Sequence, residues 1–406
     1  MLGSMPWPIR DLLTMKQELV EFALRPGVNR RELFSRYGIS APCAYKWLKR
    51  YQSKGVEGLA EHSRRPHHPP AQIGPEVVLR VLEVRDQHPA WGGRKIYHYL
   101  RQRAFSPLPA PSTITEILRR NARLKPQHPS AQGPWQRFEH SAPNDLWQMD
   151  FKGPLQTLRA GRCHPLGLLD DYSRFALALE ACPNQSTPRV QARLQSIFAR
   201  YGLPRCILCD NGGPWGCVQS SSRYTELGVW LLRLGVDIRH GRPFHPQTQG
   251  KEERFHGTLQ VELLNQTLPW LDLAHCQAGF DHFRQSYNLV RPHQALHYAV
   301  PASRYQPSAR CLPLTLAAID YLSSDQVRIV KSKGEVTFRN QFFYIGRAFV
   351  GLPIAFRQAH SPDTYDVFFS WKWLGFADLA CGQKIKYRYH SIYLDPLPIQ
   401  TYFFNC

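Results

Sequence analysis

The period of the hydrophobic pattern changes twice along the chain, which excludes any single fold class. Up to residue 125 apolar residues return at helical spacing. From about 140 short apolar runs alternate with helical stretches, and beyond about 320 the period falls to two. At 406 residues the chain can bury several cores, since one domain usually takes about 100 to 200 residues. The reading is a multidomain α and α/β protein. It has a helix-turn-helix domain over 1–60, a basic Pro-rich linker over 61–74, a second helix-turn-helix-like domain over 75–125, an α/β core over 126–310 and a small C-terminal β-barrel over 311–406.

In the first domain Met15, Leu19, Phe22 and Ala23 form one apolar stripe. Asn29 with Glu32 reads as a capping box that starts a second helix, Gly38 ends it, and Ser40 caps a third carrying Tyr45, Trp47, Leu48 and Tyr51. Two short helices joined through Gly38-Ile39-Ser40 form a helix-turn-helix pattern. The third helix also presents Lys46, Lys49, Arg50 and Lys54, cations suited to a major groove and its phosphates; a solvated basic face is the plainer alternative. Prolines from Glu61 to Pro70 preclude a helix and leave an extended linker with Arg64 and Arg65 as DNA-facing candidates, while His67 and His68 read as linker residues.

The second helical unit opens at Pro75 with Val78, Val81 and Leu82, turns at Trp91-Gly92-Gly93 and continues through Ile96 and Leu100. Ser112 then caps a helix with Ile114, Ile117 and Leu118, where Arg119, Arg120, Arg123 and Lys125 cluster at the end. A second DNA-reading module or a dimerisation unit both fit.

The excess of 51 Lys+Arg over 31 Asp+Glu gives a net charge of +20, and such a field attracts a polyanion, with nucleic acid first among them. No apolar run is long enough to span a bilayer and no apolar signal segment opens the chain, so a cytoplasmic protein without a membrane partner is expected. Met1 to Ser4 read as an added or upstream start, with Met5 as the native beginning. The ten cysteines read as reduced thiols, and the close pair Cys206 and Cys209 lacks the two further ligands that zinc needs.

In the α/β region Leu146 to Phe151 is a strand, and Leu166 to Leu169 with Phe175 to Ala181 flank a hairpin turn at Asp170 to Arg174. Pro188 to Gly202 is a helix, Arg205 to Cys209 a short buried strand, and Leu227, Leu231 and Leu234 mark another helix ended by Gly235. Beyond 320 the strands are Val327 to Lys331, Glu335 to Phe338, Gln341 to Ile345, Leu352 to Phe356 and Asp366 to Phe369. There Lys331, Lys333, Arg339, Arg347 and Arg357 suit DNA, and a barrel for protein contacts fits as well.

Three carboxylates stand out. Strand alternation separates Asp150 from Trp147, Met149 and Phe151. Asp210 ends a strand and enters Asn211-Gly-Gly-Pro-Trp215, where a turn role is equally natural. On the helix after the loop at His245, steps of about 100° per residue group Phe255, Leu259 and Leu263 on one face, and Glu253, His256, Gly257 and Gln260 on the other. Glu252 falls nearer the apolar stripe. Asp170 and Asp171 compete for a metal role but sit in a turn, and His245 and His256 read as ordinary polar contacts or as groups that position phosphate or water.

Trp147-Gln-Met-Asp150-Phe151, Asp210-Asn-Gly-Gly-Pro-Trp215 and Pro246-Gln-Thr-Gln-Gly-Lys-Glu-Glu253-Arg-Phe-His resemble the three blocks of DDE transposases. Tyr287-Asn288 and Arg291-Pro-His-Gln-Ala-Leu296 are similar to the segment that follows the triad in the bacterial insertion-sequence branch, which has a retroviral-integrase-like catalytic core. The likeness extends over essentially the whole chain, including a tail similar to the C-terminal barrel of phage Mu-type transposases. It implies an RNase H-like core with Asp150, Asp210 and Glu253 as catalytic ligands of Mg²⁺ or Mn²⁺, two ions in all, and double-stranded DNA as partner, both element ends and target. It implies an enzyme that nicks DNA and transfers a 3′-OH strand, working as a homo-oligomer of at least two copies. Lys251 and Arg254, beside the glutamate, join the DNA-facing candidates. Three departures stand: 42 residues separate Asp210 from Glu253, a longer interval than in integrases; Gln249 replaces the motif's common Asn; and helix-turn-helix units replace the retroviral zinc-binding module. A structure-specific nuclease and a catalytically retired DNA-binding regulator are the alternatives.

Overall fold

The computed structural model describes residues 12–61, 73–124, 139–216, 224–241, 250–359, 361–380 and 383–385. They fall into two compact units, one ending at Gln72 and the other starting at Ile73. Arg64, Arg65, His67, His68, Lys125, His245 and Gln249 lie outside the described residues.

The first unit contains α1 (Leu12–Ala23), α2 (Arg30–Arg36) and α3 (Ala41–Lys54), followed by a 3-10 turn at Gly55–Leu59. Its core is Leu19, Val20, Ala23, Phe34, Ala44, Trp47, Leu48 and Leu59. The α1 stripe is rotated from expectation, with Met15 and Phe22 exposed, because the face that meets α3 is centred on Leu19, Val20 and Ala23. Tyr45 is likewise exposed, its ring edge-on to Phe34. Asn29 caps α2 by accepting from the Glu32 amide at 3.4 Å. Ser40 occupies the N-cap of α3 without a side-chain bond. Gly38 has φ +65 between the two helices, a conformation open to glycine at little cost.

The second unit begins with α4 (Pro75–Gln87), α5 (Gly93–Gln102) and α6 (Pro111–Arg120) around Val81, Val84, Trp91, Ile96, Leu100, Ile114, Ile117 and Leu118. Val78 and Leu82 only flank this core, and Val77 and Val84 are the buried partners of Val81. Pro111, not Ser112, opens α6, and Ala110 is its cap, consistent with the preorganised φ of proline in a first turn. A Cβ at Gly93 would lie 2.3 Å from Thr115 Oγ1 and 2.6 Å from the Pro111 carbonyl, so the α5–α6 crossing requires glycine there.

The α/β region follows. It starts with β1 (Leu146–Phe151), β2 (Leu155–Gln156), β3 (Arg162–Asp170) and β4 (Ala176–Cys182), then α7 (Thr187–Tyr201), β5 (Cys206–Cys209), α8 (Glu226–Arg233) and β6 (Asp237–His240). Next come α9 (Gly250–Leu259), which runs into a π turn at Gln260–Leu264, and α10 (Leu273–Leu289). The sheet runs β4-β3-β1-β5-β6, with β2 added to β3. Its first strands are antiparallel, whereas β5 lies parallel to both β1 and β6. Residues such as Trp147, Met149 and Leu168 bury against α7 and α8, while Leu169 and Leu179 bury against Phe255, Leu259, Phe280 and Phe283 of α9 and α10. β6 escapes the sequence reading because Asp237-Ile-Arg-His has one apolar residue; only Ile238 is buried on this last strand of the sheet.

The C-terminal strands are β7 (Gln326–Ile329), β8 (Glu335–Phe338), β9 (Gln341–Tyr344), β10 (Pro353–Gln358), β11 (Thr364–Phe369), β12 (Lys372–Asp378) and β13 (Gln383–Lys384). They form two sheets, β12-β11-β10-β7 and β13-β9-β8, and not the closed barrel expected. Although β7 and β8 are joined by the Lys333-Gly334 turn, they ladder into different sheets, and Ile329 on β7 stays exposed. The sheets share a core of Val336, Phe338, Phe343, Ile354, Phe356, Val367 and Phe369, which Val229 and Leu232 of α8 complete. β12 was not foreseen because Gly375, opposite a register shift in β11, interrupts its alternation.

Candidate active site

Asp150 sits where alternation places it. Trp147 and Met149 enter the α7–α8 core, whereas Gln148 bonds to Asp171 and Asp150 faces His256 of α9. Asp150 is opposite Gly167 in the β1–β3 ladder, and β1 runs parallel to β5. Asp210, the first residue past β5, therefore lies at the same edge of the sheet.

The Asp210 carboxylate is turned into its own loop. Oδ1 accepts from the Gly212 amide at 3.0 Å and from the Trp215 indole. Trp215 is buried and stacks on Phe151 at 5.3 Å. The Asp210 carbonyl accepts from His240 Nδ1 at 2.8 Å, tying the loop to β6.

α9 separates its two consecutive glutamates. Glu252 is 0 % exposed and packs with the apolar face of Phe255 and Leu259, while Glu253 is exposed. His256, expected on the Glu253 side, instead lies between the carboxylates of Asp150 and Glu252, with Nδ1 3.8 Å from Asp150 Oδ2 and Nε2 3.8 Å from Glu252 Oε2. The i, i+4 relation to Glu252 accounts for this, since such pairs meet on a helix surface. Lys251 is drawn inward onto Asp171.

The hairpin carboxylates serve structure. Asp170 accepts from the Asn144 and Ser173 amides at 2.8 Å each and from Ser173 Oγ at 2.6 Å. Asp171 accepts from the His140 amide at 2.9 Å, Gln148 Nε2 at 2.8 Å and Lys251. Both are fully buried.

Burial, then the negative charges of Asp210 and Glu253, push the Asp150 carboxyl up to about 6. Glu252 is driven well above the usual range by burial and by Asp150. Burial, with Lys152 nearby, lowers His256 to about 4, so its ring is neutral at physiological pH. Among the described residues no three His, Cys, Asp or Glu side chains form a ready metal cluster; Asp210 is held by its loop and Glu253 points outward.

Comparison with known proteins gives matches along most of the chain. A helix-turn-helix domain matches residues 15–67 and a homeodomain-like domain residues 43–118. Two integrase core domain models match residues 140–246 and 234–301. The C-terminal domain of IS481 family transposases matches residues 325–384. An uncharacterized 31.7 kDa protein of insertion element IS407 from Burkholderia multivorans is 30% identical over 163 residues, 40% of this chain and 55% of that protein. An uncharacterized 39.2 kDa protein of insertion element IS476 from Xanthomonas euvesicatoria is 25% identical over 254 residues, 61% of this chain and 69% of that protein. The chain carries an integrase core and is similar to proteins of bacterial insertion elements. Its match spans little more than half the length of the IS407 protein. The simian T-cell lymphotropic virus intasome aligns at 17% identity over 64% of this chain and 84% of that chain, with a TM-score of 0.35.

The DNA-facing candidates differ in freedom. Lys46, Lys49 and Lys54 are exposed on α3, while Arg50 is half-buried over the Trp47 ring. Arg119 and Arg120 are exposed but both pair with Glu116. Arg254 is exposed on α9. Arg357 is held by Asp325 at 2.8 Å. Among the described residues no helix is long and apolar enough to cross a membrane. Sequence reasoning missed Trp215 as the group that holds Asp210; the one signal was a large aromatic placed in an otherwise polar turn.

Proposed function

We propose that the chain is the transposase of its own insertion sequence, binding the element ends and carrying out metal-dependent cleavage and 3′-OH strand transfer with Asp150, Asp210 and Glu253. The observation that carries this reading is that Asp150 near the end of β1 and Asp210 just past the parallel neighbour β5 come to the same end of one sheet, inside the region that matches integrase core domains. Carboxylates are hard oxygen donors that suit a divalent cation such as Mg²⁺ or Mn²⁺. A bound pair of ions would supply neutralisation of charge on the attacking and leaving oxygens of an in-line displacement.

The remaining work falls to the chain. Asp150, fixed in β1, sets the position of the site; Asp210, held through Oδ1 by its loop, offers its other carboxylate oxygen; Glu253 turns in from the exposed edge of α9. Hydrolysis at an element end frees a 3′-hydroxyl, and attack by that hydroxyl on a target phosphodiester forms one P–O bond as another breaks, so joining needs no external energy source. The helix-turn-helix regions supply recognition, and two copies hold the two ends together.

The test uses the full-length protein with duplexes carrying the inverted repeats that flank its coding region. With Mg²⁺ the wild type should nick these ends and join a pre-nicked end bearing a free 3′-OH, while Asp150→Asn should do neither. Nicking without joining would indicate a structure-specific nuclease, and end binding without either would indicate a retired regulator. Binding should fall steeply with salt, because each phosphate contact releases about 0.9 counterions.

A further inference from the structure

Behind Asp150 lies a chain of polar groups that the cleavage reading does not use. Glu252 is 0 % exposed, and neither of its carboxyl oxygens has a hydrogen-bond partner among the described residues. His256 Nε2 is likewise buried and unpartnered. Two polar side chains in this condition are costly, since a buried polar atom without a partner loses about 1 to 3 kcal/mol. A leucine at position 252 would continue the Phe255–Leu259 face without that loss. The two groups point at one another and at Asp150, spaced 3.8 Å on each side of the imidazole. Gly167 makes room for them: a Cβ there would lie 3.3 Å from His256 Nε2 and 3.4 Å from Glu252 Oε2.

We propose that Glu252 and His256 are positioning residues, a buried acid that orients the imidazole and an imidazole that orients the Asp150 carboxylate for its ligand. This rests on the assignment of Asp150 above. Both gaps exceed hydrogen-bond length by about 1 Å, a distance that small side-chain rotations close. Such a rotation brings Glu252 Oε2 and His256 Nε2, which already face one another, into a hydrogen bond. That bond holds the imidazole ring with Nδ1 facing Asp150, in the manner of a second group that orients a ligand by hydrogen bonding. Glu252 thus acts through His256 and does not touch DNA or the cation.

The experiment compares Glu252→Leu, Glu252→Gln, His256→Leu and Asp150→Asn in the full chain. Three quantities are read: melting temperature without metal, Mn²⁺ affinity by titration, and nicking of element-end duplexes. Glu252→Leu should melt at or above the wild-type temperature yet bind Mn²⁺ about 10-fold more weakly and nick correspondingly less, within the 10- to 100-fold range for removal of an orienting group. His256→Leu should match it in affinity and nicking. Glu252→Gln, whose amide still hydrogen-bonds, should recover most of both. If Asp150→Asn abolishes metal binding while Glu252→Leu and His256→Leu bind Mn²⁺ as tightly as wild type, the positioning role is overturned and the Asp150 assignment stands. If Asp150→Asn itself binds Mn²⁺ and nicks normally, the underlying assignment is what fails. A drop in melting temperature of Glu252→Leu with unchanged Mn²⁺ affinity would make Glu252 a purely structural residue and also overturn the proposal.

Discussion

Glu252 and Glu253 are adjacent in sequence and opposite in environment: the first is sealed against Phe255 and His256, and the second stands in solvent on the same turn of α9. Only an exposed carboxylate can change partners freely as a ligand arrives. Glu253→Gln, which keeps the size and removes the charge, should therefore reduce nicking and joining by at least about 100-fold, in line with the loss of a group acting directly in the transition state. End binding in gel-shift assays should survive, because the substitution leaves the helix-turn-helix regions untouched. Glu252→Gln should retain most activity. An active Glu253→Gln beside a dead Glu252→Gln would place the whole motif in the wrong register.

Much of this division was legible beforehand. Alternation along Leu146 to Phe151 located Asp150, and the helical wheel separated Glu253 from the apolar stripe. The wheel misjudged His256, because angle alone does not register that a long side chain at i+4 leans back toward the residue one turn before it. The cradle of Asp210 was illegible for a different reason: Trp215 reaches it across a turn and is fixed by stacking on Phe151, sixty-odd residues away in sequence. In the C-terminal region the alternation found most strands, but pattern cannot tell one closed ladder from two facing sheets, since both bury every second residue.

Asp171→Asn should damage stability more than chemistry. Its carboxylate is fully buried and accepts from the His140 amide, Gln148 and Lys251. An amide there turns one acceptor into a donor facing donors and leaves Lys251 without its charge partner. Breaking such a buried pair costs about 3 to 5 kcal/mol. Urea denaturation at neutral pH should show that loss, and a variant as stable as wild type would contradict this account.

The helices α4–α6 should be released by a change outside them. His98 stacks on Tyr298 at 3.9 Å, and Gln102 Nε2 donates to the Tyr298 carbonyl at 3.1 Å. Lys95 lies 3.8 Å from Glu262, which also accepts from Arg291 at 2.9 Å. Tyr298→Ala removes the stacked ring and should raise amide hydrogen exchange across α5 at least several-fold while leaving β1 and β5 protected. Unchanged α5 protection would show that Val290 and the Glu262 cluster hold these helices unaided.

His293 should make the core sensitive to mild acid. Its ring is buried, and Nε2 lies 3.1 Å from the Tyr287 carbonyl, to which the neutral ring donates. Burial, reinforced by Arg291, lowers it to about 3 from an ordinary 6.5. Between those values the unfolded chain takes up a proton that the folded ring refuses, so unfolding is favoured as pH falls. The stability that the neutral ring contributes is complete above about 6.5 and is lost progressively as pH drops toward 3. His256, lowered to about 4, adds its own share, so wild type alone does not isolate the effect. His293→Asn should be less stable than wild type at pH 7, having lost the edge-on contact with Tyr287 at 4.5 Å. Its deficit should shrink steadily at pH 6, 5 and 4, because only the wild type pays the cost of keeping that imidazole neutral. A deficit that stays constant over this range would mean that the ring takes up its proton equally in the folded and unfolded chain, so that burial does not hold it neutral.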